Sequence, residues 1–222
     1  MKRMLPLLVG FCLILAISSA VAQENRFEVN GTVAYTASNG IDISPQDLED
    51  GKVVDRISPT SAFSFDIGLD VFLSENFSLG FNFGQQQGKL RGRVRNGADI
   101  DFTDMDVNNY HGIFTYNFGD EDSDIRPYIF GGLGATQYSP NDIDGVPVDS
   151  RTRFSTTWGG GAKFFVSDHF GFKGGVRWTP TYITSTPGGI WCSPLWPWYC
   201  WVLSDDKFSH QFELGGGVIA RF

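Results

Sequence analysis

The chain has 222 residues and a formal net charge of -8, with 27 glycines and 20 phenylalanines against 3 methionines. Its length suits one domain, and the acidic balance excludes a nucleic-acid surface, which needs clustered Lys and Arg. A mean hydropathy of -0.13, with no long apolar run after the first two dozen residues, excludes a membrane-crossing helix in the rest of the chain. Glycine and aromatics with little helix-forming composition point to an all-β fold.

Lys2 and Arg3 precede the apolar run Leu5 to Ile17, and small residues follow to Ala20-Val21-Ala22. A positive start, an apolar middle and an A-x-A site predict a secretory signal peptide over residues 1–22, leaving 23–222 as the mature domain. Its removal takes Cys12 with it and leaves Cys192 and Cys200 in an oxidising compartment.

Period-2 alternation then recurs along the chain. The first strand puts Phe27, Val29, Gly31, Val33 and Tyr35 on one face and Glu28, Asn30, Thr32 and Ala34 on the other. Residues 38–60 are polar and are expected to form a long loop. The second strand sets Phe63, Phe65, Ile67, Leu69 and Val71 against Ser64, Asp66, Gly68 and Asp70. After a tight turn at Ser74-Glu75-Asn76, the third sets Phe77, Leu79, Phe81 and Phe83 against Ser78, Gly80, Asn82 and Gly84. Residues 88–103 are expected to be a second polar loop.

The fourth strand, Asn108 to Phe118, places Tyr110, Phe114, Tyr116 and Phe118 opposite Asn109, His111, Thr115 and Asn117. A short acidic turn leads to a fifth strand from about Arg126 to Tyr138, whose facing the pattern leaves ambiguous. A third loop covers 139–151. The sixth strand sets Phe154, Trp158, Ala162, Phe164 and Val166 against Arg153, Ser155, Thr157 and Lys163. A turn at Ser167-Asp168-His169 precedes the seventh, with Phe170, Phe172, Val176 and Trp178 against Lys173 and Arg177. A fourth loop spans roughly 181–206. The last strand alternates Phe208, His210, Phe212, Leu214, Gly216, Val218, Ala220 and Phe222 with Ser209, Gln211, Glu213, Gly215, Gly217, Ile219 and Arg221.

About eight strands with short turns and long loops in strict alternation predict an eight-stranded antiparallel up-and-down transmembrane β-barrel. Its apolar face meets lipid and its polar face lines the lumen. Aromatics near strand ends, Phe27, Phe77, Phe118 and Phe170 on the turn side and Tyr35, Tyr138 and Trp178 on the loop side, are expected to form the interfacial girdles.

The segment Arg126-Pro127-Tyr128-Ile129-Phe130-Gly131-Gly132-Leu133-Gly134 resembles the R-P-Y-x-x-x-G-x-G strand of small bacterial outer-membrane β-barrels of the OmpX, OmpW and OmpA transmembrane-domain type. Gly161 to Gly171 is similar to their sixth-to-seventh hairpin. The alternating end with its final Phe222 looks like the signal that the outer-membrane assembly machinery reads in such proteins. The resemblance implies the bacterial outer membrane, periplasmic termini and extracellular long loops, with lipid and lipopolysaccharide as surroundings. It implies no shared activity.

Glu28, Asp66, Asp70 and Glu213 should project inward with Lys163, Lys173 and Arg177. A barrel of this size is just wide enough to be filled by side chains, and charges buried there must pair. The set reads as a salt-bridge network that plugs the lumen; a narrow gated pore is the alternative. Cys192 and Cys200 are expected to form a disulfide, since no His stands near them to complete a metal site. Trp191, Trp196, Trp198, Tyr199 and Trp201 crowd the same segment. They form either a contact patch for an external ligand or protein, or a loop that buries its own rings over the barrel mouth.

Asp120 to Asp124 begins like a calcium loop but has Ile125 at position six and Gly131 at position twelve, so a solvated turn is expected. Asp99, Asp101, Asp104 and Asp106 read as solvated charge. His169 lies in a turn, His111 points inward, and His210 and Ser209 are sequence neighbours on opposite strand faces, so no nucleophile–base pair is visible. The expectation is a non-enzymatic envelope protein without a cofactor, with a structural or surface-interaction role and a plugged or narrow lumen. A narrow porin-like channel for small or hydrophobic solutes is one alternative. A soluble lipocalin-like carrier, which reverses the facing, is the other.

Overall fold

The structure, a computed structural model, describes residues 27–47, 52–95, 97–120, 123–143, 147–184 and 207–222. Ten strands follow in order: β1 (Phe27–Asn39), β2 (Ile41–Asp47), β3 (Val53–Pro59), β4 (Ala62–Phe72), β5 (Phe77–Val94), β6 (Ile100–Asn117), β7 (Ile125–Pro140), β8 (Arg151–Ser167), β9 (Phe170–Ile183) and β10 (Lys207–Arg221). All pairings are antiparallel. β1, β4, β5, β6, β7, β8, β9 and β10 close an eight-stranded barrel, with β1 paired to both β4 and β10. The remaining hairpin, β2–β3, is carried on the upper half of β5.

Closure leaves no free edge at the seam. Glu28 opposes Arg221 and Asn39 opposes His210 along the full length of β1. Phe27 and Phe222 exchange backbone hydrogen bonds of 3.0 and 2.9 Å. Both described ends of the chain therefore lie with the short turns 73–76, 118–124 and 168–169, here called the turn end. The longer connections gather at the opposite, loop end.

The outward face of the barrel wall is apolar. Phe63, Ile67, Leu133, Val166 and Leu214 are each more than half exposed, while Glu28, Asn117, Arg126 and Gln211 are fully buried. That inversion suits a hydrocarbon surround and rules out the lipocalin-like alternative, which needs the phenylalanines inside. Cross-strand ring pairs such as Tyr35–Phe63, Phe77–Phe114 and Trp178–Phe212 stitch the outer surface. The ambiguous strand resolves with Arg126, Tyr128, Phe130, Thr136 and Tyr138 inward and Ile125, Ile129 and Leu133 outward.

The expected polar loops at 38–60 and 88–103 are corrected: most of both is strand. β5 runs on to Val94, β6 starts at Ile100, and β2 and β3 occupy much of 41–59. The reason is an inverted binary pattern within one strand. On β5, Phe77 to Phe83 face out and Ser78 to Gln86 face in. Further on, Lys89, Arg91 and Arg93 face out while Leu90 and Val94 are buried. β6 switches likewise, with Asp104 outward and Met105 and Val107 inward. Below the switch the wall is organised for lipid. Above it, the wall follows the rule for water, apolar inside and charged outside.

Ile41, Ile43, Val54, Ile57, Leu90, Val94, Met105, Val107, Tyr138 and Ile183 form one buried cluster across the mouth. Tyr138 therefore leaves the expected aromatic girdle; it is only 3% exposed, inside the barrel. The expected fourth loop also begins later, since β9 extends to Ile183. The bend from β1 into β2 falls at Gly40, where a Cβ would come within 2.6 Å of the Ile57 carbonyl oxygen. Only glycine allows that approach.

Candidate functional site

The lumen is built in layers. At the turn end, Lys163 Nζ donates to Glu28 Oε1 at 2.7 Å, and Arg221 Nε lies 3.5 Å from Glu28 Oε2. Phe72 and Phe165 turn inward beneath them. The Arg221 guanidinium stacks 3.6 Å from the Phe165 centroid, and Lys163 lies 5.5 Å over Phe72. Arg126 donates through Nη2 to the Glu75 carbonyl at 2.6 Å, tying β7 to the β4–β5 turn.

The next layer holds Asp70, Asn30 and Lys173. Asn30 Nδ2 donates to Asp70 Oδ2 at 3.2 Å and Lys173 Nζ donates to Asn30 Oδ1 at 3.1 Å. Lys163 and Lys173 both sit 5.6 Å from the Tyr128 ring. Above it, Arg177 donates to Asp66 and reaches Glu213 Oε2 at 3.3 Å, with its guanidinium 5.7 Å over Phe130. Such pairing satisfies charges whose unpaired burial would be costly.

The two inward rings of β7 lie over glycines of the neighbouring strands β8 and β9. A Cβ on Gly175 would meet the Tyr128 hydroxyl at 2.9 Å, and one on Gly159 would meet the Phe130 ring. Cavities of about 40 and 30 Å³ remain, both bounded by Tyr128, Phe130, Lys173 and Arg177. Each has room for a few water molecules.

Beyond Arg177 the lining turns neutral. Thr136 Oγ1 donates to Asn109 Oδ1 at 2.7 Å and lies 3.0 Å from Ser155 Oγ, and His111 Nε2 is 2.9 Å from the same Ser155 Oγ. Gln211 Nε2 donates to Gln86 Oε1 at 3.2 Å. His111 and Ser155 are buried inside this hydroxyl network, with no carboxylate hydrogen-bonded to His111 among the described residues. The apolar cluster of the mouth follows. From turn end to loop end the lumen thus runs charged, neutral polar, apolar.

All seven charged residues read from the sequence lie on the inner face: Glu28, Asp66, Asp70, Lys163, Lys173, Arg177 and Glu213. Arg126 and Arg221 join them and were not in that set. Arg221 shares a face with Glu213 in the terminal alternation, so its inward position was readable. Arg126 stands on the strand whose pattern is ambiguous. Phe222 ends the chain exposed on the outer face, hydrogen-bonded through its backbone to Phe27. Cys192, Cys200, Trp191, Trp196, Trp198, Tyr199 and Trp201 lie outside the described residues.

Outside the mouth the charges pair across strands. Arg91 Nε donates to Asp101 at 2.6 Å, Arg56 Nε to Asp42 at 2.7 Å, and Arg93 and Arg95 flank Asp55 at 3.3 and 3.5 Å. The hydrogen bond from Arg91 holds the Asp101 carboxyl below its ordinary value.

Residues 8–218 match the model of the family described as outer membrane protein beta-barrel domain. Neisserial surface protein A is similar in structure, with a TM-score of 0.58 at 17% identity over 88% of this chain and 97% of that one. The outer membrane protein OprG from Pseudomonas aeruginosa gives 0.58 at 13% identity, over 90% and 97%. AlkL, determined in lipid bilayers, gives 0.52 at 18% identity, over 90% and 92%. Likeness at these identities is a likeness of fold. No curated protein matches the chain in sequence.

Proposed function

Because the chain belongs to the outer membrane protein β-barrel domain family, we propose that it is a non-conducting outer-membrane protein that holds a water-exposed mouth above the lipid for contact with partners. The reading takes the turn end and both termini as periplasmic and the loop end as extracellular. It takes residues 1–22 as a cleaved signal.

The observation that supports it is the placing of two groups of inward side chains, one at the middle of the barrel and one at the mouth. Tyr128, Phe130 and the Arg177–Asp66–Glu213 group cross the middle. The apolar cluster from Ile41 to Ile183 fills the mouth. An ion entering at either end would have to shed water against rings or aliphatic side chains. The charged residues inside then serve to join strands far apart in sequence, as Lys163 does with Glu28. Function is left to the outer surface above the lipid, where paired charges and connections face water. Phe222 and the apolar terminal strand fit recognition by the assembly machinery, and the Trp-rich segment 191–201 fits external contact.

The test is conductance of the purified mature protein in planar lipid bilayers, paired with swelling of proteoliposomes in small sugars. The expected result is a protein that inserts, shifts on a gel when heated, and yields neither defined current steps nor sugar entry. Reproducible steps would replace this reading with the narrow channel.

A further inference from the structure

β8 presents its odd-numbered residues to the lumen, as the fully buried Ser155 and Thr157 record. The same face reaches the mouth as Arg153 and then Arg151. There the two arginines line a half-open pocket of about 20 Å³ together with Ile41, Ile57, Leu90 and Ile183. Both Nε atoms are buried and lack an acceptor. Arg151 has one marginal contact, Nη2 to Asp149 at 3.5 Å, and that carboxylate is mostly exposed. Arg153 has no ion pair or side-chain hydrogen bond among the described residues. The outward arginines of the same region differ: Arg56, Arg91, Arg93 and Arg95 each have a carboxylate. The charged layers lower in the lumen are paired as well.

A buried Nε–H without an acceptor is costly, because it forfeits its hydration. The fork of a guanidinium matches a carboxylate in two parallel hydrogen bonds. The aliphatic part of the lining, Ile41, Ile57, Leu90 and Ile183, matches an alkyl chain, and Ser58, Tyr138 and Ser209 line the same pocket. We infer that the mouth pocket is a binding site for a single-chain anionic amphiphile, a medium-chain alkyl carboxylate. Its head pairs with Arg153 and Arg151, and its tail takes a place within the apolar cluster.

The present volume admits little more than a water, so the tail enters by parting the β2–β3 hairpin from the wall. The attachment of that hairpin suits such a movement. Its pairing is broken by irregularities between Asp42 and Gln46 on β2 and between Val54 and Arg56 on β3, while the β1–β10 seam runs without a shift. Binding here needs no passage through the middle of the barrel, so it is independent of whether the lumen conducts.

The experiment uses the mature chain in lipid nanodiscs and radiolabelled octanoate in equilibrium dialysis, with empty nanodiscs subtracted. Octan-1-ol lacks the charged head and acetate lacks the tail. Saturable octanoate binding is expected, with octan-1-ol and acetate at least tenfold weaker. Arg153→Gln should weaken octanoate by tenfold or more and Arg153→Lys by less. Loss of saturable octanoate binding in the wild type, equal affinity in a folded Arg153→Gln, or acetate binding as well as octanoate would each overturn the site. Should Arg153→Gln lose its heat-shifted band on a gel, the wild type decides by nitrogen-15 NMR of the arginine side chains. Octanoate must move the Arg153 Nε–H resonance and leave Arg93 in place; an unmoved Arg153 resonance overturns the proposal.

Discussion

Lys163 on β8 and Glu28 on β1 are 135 positions apart in sequence and 2.7 Å apart across the lumen, both almost wholly buried. Glu28 also receives Arg221 at 3.5 Å, so one carboxylate stands between two cations. Removing one member of a buried pair leaves the other charged without compensation, a loss of about 3–5 kcal/mol. Glu28→Gln removes the carboxylate that two cations share and should cost more than Lys163→Met, which leaves Glu28 with Arg221. The double variant should cost less than the sum of the singles. Urea unfolding in detergent micelles, followed by the heat-dependent gel shift, measures the three values. Equal costs for the two single variants would contradict this geometry.

How much of this was legible beforehand depends on which solvent each residue faces. Where the wall meets lipid, alternation of Phe and Leu with Asn, Ser and Asp has large amplitude, so strand faces and most inward charges could be assigned. At the mouth the same alternation persists with its sign reversed. Lys89-Leu90-Arg91 and Asp104-Met105-Asp106-Val107 look like polar loops when judged by charge density alone. Judged by period they are strands with apolar residues inward. β7 was unreadable for another reason: Tyr128 and Phe130 are aromatic residues on the inner face, accommodated by glycines on β8 and β9 that a single strand's pattern cannot reveal.

The apolar cluster should behave as a separate layer of stability. Leu90 is fully buried within it, and truncation of such a leucine costs about 2–5 kcal/mol. The cost should fall on the mouth, since the membrane-level wall makes none of those contacts. In Leu90→Ala, amide hydrogen exchange should quicken along β2, β3 and the last residues of β5. The β9–β10 ladder near Gly215 should keep its protection. Uniform loss of protection around the whole barrel would mean that the mouth and the wall unfold as one unit.

Acid should weaken the Arg91–Asp101 pair on the outside of the mouth. Asp101 has a carboxyl held below its ordinary value by Arg91, so its pairing contributes fully above the unfolded carboxylate range. That contribution is lost as pH falls through the lowered folded value. The pair is exposed, so its contribution is small. In a carboxyl-detected NMR titration Asp101 should titrate below the ordinary aspartate range, and Arg91→Gln should bring it back. An unshifted Asp101 in the wild type would show that Arg91 does not hold it in solution.

The proposed non-conducting lumen makes a conductance prediction with a distinctive logic. Tyr128→Ala with Phe130→Ala joins the cavities on either side of the rings while leaving Arg177, Asp66 and Glu213 paired. Leu90→Asp with Val107→Asp admits water to the mouth without touching the middle. Each double variant alone should remain silent in a planar bilayer, because the other obstruction still strips hydration from a passing ion. The fourfold variant should conduct in small steps, weakly selective for cations because carboxylates now line the mouth. Steps from the ring variant alone would show that the apolar cluster does not seal the mouth, and steps from the mouth variant alone would show the same of Tyr128 and Phe130. A silent fourfold variant, folded by its gel shift, would show that the Arg177–Asp66–Glu213 group closes the middle without the rings.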